Sequence, residues 1–390
     1  MRNVLPASIA NDLGKLESFS IKSCENLEEI IACDGESETS SEAVFKFPEV
    51  VSMSFSYLPS LQCFYKGRHI VECPKLKQLT MTECPNMEIF KTESTKEEGK
   101  ALLSAEKVMS KLEHLSIDSK AVKWLISNRG KWLMNSLKQL HLIGWQSHGE
   151  TLYSFLHTIP NLQILEMRTD SNIREFVPSG NTAPKQRLGS VLLLKEFTLS
   201  FSFIEDIGFE RDPALQRSLH RLVLYFCYKL TRLAHSSVSF THLTYLQVSY
   251  CSELRTLITC STAKSLVQLT TIKVSECRKL NEIVTNDEGN DDKEIKIVFA
   301  KLIAIEFEGL SNLTSFCSNG NCEFSMPLLE KVNLKRCPKM KRFTAKLITT
   351  PKLPSVLVSE GYGEEERGYW EGDLNGTMQM VFADKVLLAL

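Results

Sequence analysis

The sequence predicts an α/β repeat fold, a solenoid shaped as an arc or horseshoe, with a parallel sheet on its concave face and an irregular or short-helical convex side. Between Leu219 and Leu257, one apolar pattern appears twice, with residues at offsets 3, 5, 8, 11 and 14 from a leucine. Similar copies recur along the chain every 24 to 36 residues. The alternation at offsets 3 and 5 is typical of a half-buried strand, so each copy predicts one strand.

This pattern is the leucine-rich repeat motif, L-x-x-L-x-L-x-x-N/C-x-L, with cysteine often in the N/C position. The copies begin at Leu16, Val50, Leu76, Leu112, Leu137, Leu162, Leu194, Leu219, Leu243, Leu269, Leu302 and Leu329, with a weaker one at Leu353. We therefore predict a solenoid of about 12–13 repeats over residues 16–358. Residues 1–15 are interpreted as the tail of a preceding repeat, and residues 359–390, with apolar residues near helical spacing after Leu374, as a C-terminal capping tail.

Polar, acidic insertions separate several repeats and predict solvated loops on the outside of the solenoid. They are Asp34–Glu42, Thr92–Lys100, Ser179–Arg187 and Asp287–Glu294. Many return segments are too short or irregular for full helices, but we expect that two of them, Leu102–Lys111 and Ser261–Leu269, could be helical.

The composition is that of an ordinary globular protein. Hydrophobic residues make up 43% and the formal net charge is −1, so nothing in the bulk charge indicates a nucleic-acid partner. Apolar runs are far shorter than the roughly 20 residues that a membrane span requires. The first fifteen residues contain no apolar signal-peptide core, and we expect a cytoplasmic protein in a reducing compartment.

Six of the twelve cysteines occupy the same position of the repeat. They are Cys24, Cys84, Cys227, Cys251, Cys277 and Cys337. Their spacing is explained by the repeat, and we interpret them as small buried side chains. The other six show no C-x-x-C pair and no histidine pair at ligand spacing, so we predict no metal and no cofactor.

No catalytic motif is present. The sequence lacks G-x-S-x-G, H-E-x-x-H and a glycine-rich phosphate loop, and its eight histidines are scattered. We therefore predict a binding protein and not an enzyme.

Two groups of residues flank the buried strand positions and are candidates for contact with a partner protein. The aromatic group is Phe201, Tyr225, Phe226, Tyr245 and Tyr250. Exposed aromatic side chains mark interaction sites, although packing between neighbouring strands would explain them equally well. The basic group, Lys331, Lys335 and Arg336, could steer an acidic protein surface or form a solvated face.

Three blocks, Leu269–Val284, Val298–Phe343 and Tyr369–Asn375, resemble the C-terminal leucine-rich repeat region of plant intracellular disease resistance proteins of the coiled-coil, nucleotide-binding class. Cys277 with Leu280, the Cys337-Pro338-x-Met340 sequence and Trp370–Asn375 carry the resemblance.

This resemblance implies a sensor in plant defence that recognises a pathogen effector or a guarded host protein. A regulatory docking module, or a truncated receptor relative that restrains a nucleotide-binding domain, is the alternative. No G-x-x-x-x-G-K-[ST] loop occurs, so the nucleotide switch of such receptors is absent from this sequence.

Overall fold

The computed structural model describes residues 2–32, 42–91, 101–127, 134–145, 149–169, 173–179, 192–287, 294–346, 348–361 and 365–388. The four acidic insertions predicted as loops lie almost wholly outside these residues. The chain divides into two compact units. The first contains residues 1–145, 154–167 and 186–191, and the second contains residues 146–153, 168–185 and 192–390.

The repeat pattern forms the strands of a long sheet in each unit. In the first unit these are β1 (Ser18–Lys22), β2 (Ser52–Ser56), β3 (Gln78–Thr82), β4 (His114–Asp118), β5 (Gln139–Ile143) and β6 (Ile164–Arg168, of which Arg168 belongs to the second unit). In the second unit they are β7 (Glu196–Ser202), β8 (Arg221–Cys227), β9 (Tyr245–Ser249), β10 (Thr271–Ser275), β11 (Ala304–Glu308), β12 (Lys331–Lys335), β13 (Val356–Ser359) and β14 (Arg367–Tyr369).

Each strand forms because its apolar side chains alternate and enter the core. In β9, Leu246 and Val248 are fully buried, whereas Tyr245 and Gln247 are partly exposed on the other face. Fully burying one such side chain stabilises the fold by about 1.5–3 kcal/mol. A strand lies at each of the thirteen predicted strand positions, so the predicted α/β leucine-rich repeat fold is confirmed.

The strands pair in register with the repeat. In the second unit Leu222 aligns with Leu246, and Leu246 aligns with Ile272. This parallel pairing continues to β13, and β14 then pairs antiparallel, with Tyr369 opposite Val356. Equivalent residues of successive repeats therefore form columns across the strands, about 4.8 Å apart.

The return segments contain short strands, which the sequence pattern did not indicate. In the first unit Leu5–Pro6 pairs with Ile31–Ala32, Ala43–Lys46 with His69–Glu72, and Glu88–Lys91 with Ala101–Ser104. In the second, Thr256–Thr259 pairs with Glu282–Thr285, and Cys322–Ser325 lies between Ile295–Val298 and Ile348–Thr349.

The helices are mostly short. They are Ala7–Ala10, Ala105–Val108, Ser119–Ser127, Gly149–Leu156, Pro213–Ser218, Cys260–Ser265 and Leu374–Leu388, with a 3-10 turn at Phe209–Arg211. The predicted helix at Leu102–Lys111 is therefore only one turn long and follows a strand, and the one predicted at Ser261–Leu269 ends at Ser265. Within the described parts of the chain, no helix combines the length and apolar character that crossing a bilayer requires.

The repeat cysteines are bonded to the backbone where the chain leaves the strand. The Cys277 thiol donates to the carbonyl of Ser275 at 3.4 Å and to that of Val248, in the preceding repeat, at 3.9 Å. Burial raises the pKa of the Cys84 thiol to about 11. Of the six, only Cys24 is exposed, so five are unreactive parts of the core.

The C-terminal helix packs its first turns against the last described repeat. Leu374, Met378 and Val381 are buried. The Asn375 side-chain oxygen accepts hydrogen bonds from the backbone amides of Phe343 at 3.0 Å and Thr344 at 2.8 Å. One repeat earlier, the equivalent amides of Phe316 and Cys317 donate to the backbone carbonyl of Phe343. The Asn375 side chain therefore takes the role that a backbone carbonyl has in the preceding repeat.

Candidate functional site

The open face of the sheet in the second unit, defined as the face whose side chains do not enter the core, carries all the predicted contact residues. Arg221 aligns with Tyr245, and Tyr245 with Thr271, on this face. Side chains of a strand alternate between its two faces. The residues flanking each buried position are therefore displayed together.

Three of the aromatic candidates occupy an unusual backbone position at the end of the strand. Phe201, Phe226 and Tyr250 have φ angles of +54°, +53° and +57°, in the left-handed region that residues with a Cβ rarely adopt. The alternation would otherwise turn Phe226 into the core. The left-handed backbone instead keeps it outward beside Tyr225, and the next residue, Cys227, is buried.

These three residues form the aromatic column. The ring centroids of Phe201 and Phe226 are 4.6 Å apart with an interplanar angle of 15°, and those of Phe226 and Tyr250 are 4.6 Å apart with an angle of 11°. The Arg168 guanidinium lies 4.9 Å from the Phe201 ring centroid. Phe201 is 38% exposed and Tyr250 is 47% exposed. The column is therefore an ordered stack that a partner can reach.

A second pair of rings adjoins the column, and sequence reasoning missed it. Phe203 and Tyr228 lie two residues after Phe201 and Phe226, and their centroids are 5.5 Å apart. Tyr228 is also 6.2 Å from Phe226. The same two-residue spacing in two successive repeats is the signal that would have identified them.

The other two aromatic candidates do not join the stack. Tyr245 lies under the Arg221 guanidinium, 3.9 Å from its ring centroid, and its hydroxyl donates to Gln247 at 2.7 Å. Tyr225 aligns with Ser200 and Ser249 on the neighbouring strands. Both belong to the open face but occupy different columns.

The basic candidates lie on the same face, and each is paired with a glutamate. Lys331 contacts Glu306 at 2.9 Å, and Lys335 contacts Glu366 at 2.8 Å. Desolvation would raise the pKa of Glu306, but Lys273 and Lys331 hold it below its ordinary value. The hydrogen bond from Lys335 likewise lowers the pKa of Glu366. This end of the face is therefore a network of ion pairs and not a purely basic surface.

Arg336 spans two strands to reach its partners. Its guanidinium contacts Glu276 at 2.6 Å and Glu308 at 3.1 Å. Gly309 lies between Glu276 and Arg336 in the same column, with φ +63°, and a Cβ there would be 2.4 Å from the Glu276 Oε1. The missing side chain at Gly309 leaves the space in which the ion pair forms.

Two clusters in the described part of the chain bring three potential metal ligands together. The first cluster consists of Cys260, Cys317 and Cys322, and the second of Asp206, Glu210 and His235. In the second cluster Arg211 already pairs with both carboxylates. Neither cluster includes a residue of the aromatic column.

Comparison with known families identifies the repeat array. The family described as "Plant disease resistance protein RPS2-like, leucine-rich repeats" matches residues 1–98 and 227–351, more than half of the chain. Tyr250 lies within the second matched segment, and Phe201 and Phe226 lie in the stretch between the two. No curated protein matches the sequence. Leucine-rich repeat regions are generally protein-interaction domains, and by this match the chain belongs to the leucine-rich repeat family of RPS2-like plant disease resistance proteins.

Proposed function

We propose that this region binds a protein partner through the aromatic column and, as the sensor of a plant immune receptor of the coiled-coil, nucleotide-binding class, recognises a pathogen effector or a guarded host protein. The observation that carries the proposal is the stack of Phe201, Phe226 and Tyr250 on the open face, in which Phe201 and Tyr250 are exposed. Family membership supports a role in defence.

The stack has the physical properties of a binding hot spot. Each ring is held by its neighbours at 4.6 Å, so docking a partner immobilises few additional side-chain rotations. Immobilising a flexible side chain opposes binding by about 0.5–1.5 kcal/mol. Interfaces concentrate their binding energy in aromatic and arginine residues, and Arg168 adjoins the stack at Phe201. The column is therefore prepared for contact at little entropic penalty.

The location of the column also favours recognition over packing alone. Rings that only stabilise a sheet would be expected beside the buried strand positions, where cross-strand neighbours cover them. These rings lie on left-handed residues, a backbone that is unfavourable by about 1–2 kcal/mol per residue, and those of Phe201 and Tyr250 stay exposed. The repeat geometry imposes this backbone but does not require an aromatic residue there, because serine, glutamate, arginine and glycine occupy the same position in other repeats. Aromatic side chains at three successive copies of the position are therefore more readily explained by binding than by stability.

The test measures binding of the full chain to candidate effectors and host proteins by biolayer interferometry. For any binder, Phe226→Asn and Tyr250→Ala should each weaken affinity about 10- to 100-fold, as removal of a hot-spot residue does. Asparagine tolerates the left-handed backbone, so Phe226→Asn removes the ring without adding strain.

Tyr57 provides the matched control. It is 52% exposed and left-handed, with φ +57°, at the equivalent position of its own repeat. Tyr57→Ala should change affinity less than about threefold, the range of an ordinary surface substitution. A partner whose binding survives both column variants would contact another surface, and the proposal would fail.

The ion-pair network supports a second candidate function, docking against a nucleotide-binding domain. Lys335 and Arg336 engage glutamates on the same open face, and a charged surface of this kind suits a regulated intramolecular contact. Arg342 is an exposed basic residue seven positions after β12. In a receptor reconstituted with its nucleotide-binding domain, Lys335→Glu with Arg336→Glu and Arg342→Glu should then give constitutive activity. Lys296→Glu is the control, because Lys296 lies on a return strand and pairs there with Glu323. Normal activity in the triple variant would argue against docking.

A further inference from the structure

The cysteines that the repeat pattern does not explain include three that meet in the second unit. Cys260 begins the helix Cys260–Ser265 and Cys322 begins the strand Cys322–Ser325. Cys317 lies on a return segment that bridges to Thr344. Their sulfur atoms all lie within 4.8 Å of one another, and the Cys260 and Cys322 sulfurs are 3.0 Å apart. All three side chains are fully buried.

We propose that Cys260, Cys317 and Cys322 form a binding site for one thiophilic d10 metal ion, Zn²⁺ or Cu⁺, on the return side of the repeats. Three thiolates around such an ion, with metal–sulfur bonds of about 2.3 Å, place their sulfurs roughly 4 Å apart. The observed cluster is within a small adjustment of that arrangement. Thiolate ligands select Zn²⁺ and Cu⁺ over hard cations.

The loop between two of the ligands donates hydrogen bonds to sulfur. The backbone amide of Asn319 donates to Cys317, and its side-chain amide donates to the Cys322 sulfur at 3.4 Å. Hydrogen bonds of this kind stabilise the anionic sulfur that a metal requires. Ser318 and Gly320 of the same loop are exposed, so the loop that carries two of the ligands lies at the protein surface.

A buried carboxylate next to the cluster provides an independent observation. Asp287 is 7% exposed, and its Oδ2 accepts from the Ser261 amide at 3.0 Å and hydroxyl at 2.8 Å, directly beside Cys260. Its Oδ1 is buried and has no hydrogen-bond partner among the described residues. Asp287 is near enough to Cys322 to raise the pKa of that thiol. A buried carboxylate oxygen without a hydrogen-bond partner is unfavourable, and carboxylate oxygens occur beside thiolates as ligands in zinc sites.

Binding of a metal ion to a cysteine thiol releases its proton, so the affinity of the cluster for the ion should fall as the pH is lowered.

The sequence-based prediction of no metal site rested on the absence of a C-x-x-C pair and of a histidine pair at ligand spacing. Cys317 and Cys322 are separated by four residues, a spacing that zinc sites also use. The third ligand, Cys260, is 62 residues from Cys322. Only the folded chain brings it into the cluster.

The experiment titrates the reduced, chelator-treated full chain with Zn²⁺ against a chromophoric chelator and, without oxygen, with Cu⁺ against a Cu⁺-specific chelator. We expect about one ion per chain, with X-ray absorption reporting about three sulfur neighbours near 2.3 Å. The two titrations identify which ion binds more tightly. Because X-ray absorption uses the unaltered protein, it tests the site even where a variant fails to fold.

Variants locate the site. Cys317→Ser and Cys322→Ser should weaken binding by at least about 100-fold, and Asn319→Ala, which removes one donor to sulfur, by about 10-fold. Cys73→Ser, a buried thiol outside the cluster whose pKa burial raises to about 12, should bind as the unaltered chain does. The proposal would be overturned if neither ion bound, or if the bound ion had no sulfur neighbours. It would also be overturned if the Cys317→Ser and Cys322→Ser variants bound the ion as tightly as the unaltered chain.

Discussion

Phe226 adopts a φ of +53° and lies between a residue that faces solvent and one that enters the core. The same left-handed position recurs in both units, occupied by Ser23, Tyr57, Glu83, Gly144, Phe201, Tyr250, Glu276, Gly309 and Arg336. Only glycine adopts this conformation without strain. Since most of these residues carry a Cβ, the repeat geometry and not the residue type imposes the turn. In these repeats one backbone angle thus determines which side chains reach the open face.

Gly309→Ala should destabilise the protein more than its size suggests. The left-handed backbone alone makes alanine unfavourable by about 1–2 kcal/mol, and its Cβ would displace the Glu276 carboxylate from Arg336. Urea unfolding measures the change. Gly320→Ala, where an added Cβ meets nothing within 4 Å, should stay within about 0.5 kcal/mol of the parent. Equal stability of the two variants would contradict the account of the ion-pair gap.

Glu113 should make stability depend on acid pH. Lys138 and Lys77, each 2.8 Å away, lower its pKa from 4.5 to about 2 in the folded protein. A carboxyl group with a depressed folded pKa stabilises the protein above its unfolded pKa, and this stabilisation is lost as the pH falls. Between about pH 4.5 and 2, the melting temperature should therefore fall less steeply in Glu113→Gln than in the parent.

The two lysines provide the control for this pH effect. Replacing Lys77 and Lys138 together by methionine removes the cause of the pKa shift, so it should flatten the same pH window as Glu113→Gln does. If the melting temperatures of all three proteins fell in parallel with pH, the Glu113 contacts would not be responsible.

At the scale of single elements, the strands of the long sheet were predictable and the return strands were not. Each long strand is determined by apolar alternation within about six residues, such as Leu246 and Val248, which is visible locally. A return strand such as Ala43–Lys46 is defined by pairing with His69–Glu72 in the next repeat. Return paths differ in length from repeat to repeat, so no fixed spacing predicts that pairing.

The candidate face was predicted in part for the same reason. The aromatic side chains could be read from the residues flanking each strand core. An aromatic residue joins the column only if it directly precedes the buried cysteine position of its repeat, as Phe226 does. Tyr245 lies earlier in its strand and contacts Arg221 instead. The glutamates that neutralise the basic residues were missed because Arg336 and Glu276 are 60 residues apart.

Asn375 is predicted to hold the last return segment together. In Asn375→Ala, the buried amides of Phe343 and Thr344 lose their acceptor. A buried unsatisfied amide is unfavourable by about 1–3 kcal/mol. Hydrogen exchange at these two amides should accelerate, and the melting temperature should fall.

Gln379 offers a control for this substitution. It lies on the same helix, and its side chain is exposed. Gln379→Ala should leave both amide exchange rates and the melting temperature close to those of the parent. Unchanged exchange in Asn375→Ala would show that the helix does not supply the missing acceptor.

Over the whole molecule, the repeat persists where the family pattern does not. The stretch between the matched segments, residues 99–226, contains β4 and β5 in the first unit and β7 and most of β8 in the second. These strands keep their buried leucines, such as Leu115 and Leu222. The buried repeat pattern is therefore kept in this stretch, which also contains Phe201 and Phe226.

At the left-handed turn that ends a strand, one residue faces solvent and the next one fills the core, so the two positions are constrained differently. A side chain at the position of Phe226 or Tyr250 does not fill the interior, because the following cysteine does so. These positions can be rewritten one at a time while the interior stays as it is. A library randomised only at these positions would vary the exposed side chains of the surface while the buried residues of the repeats stay unchanged.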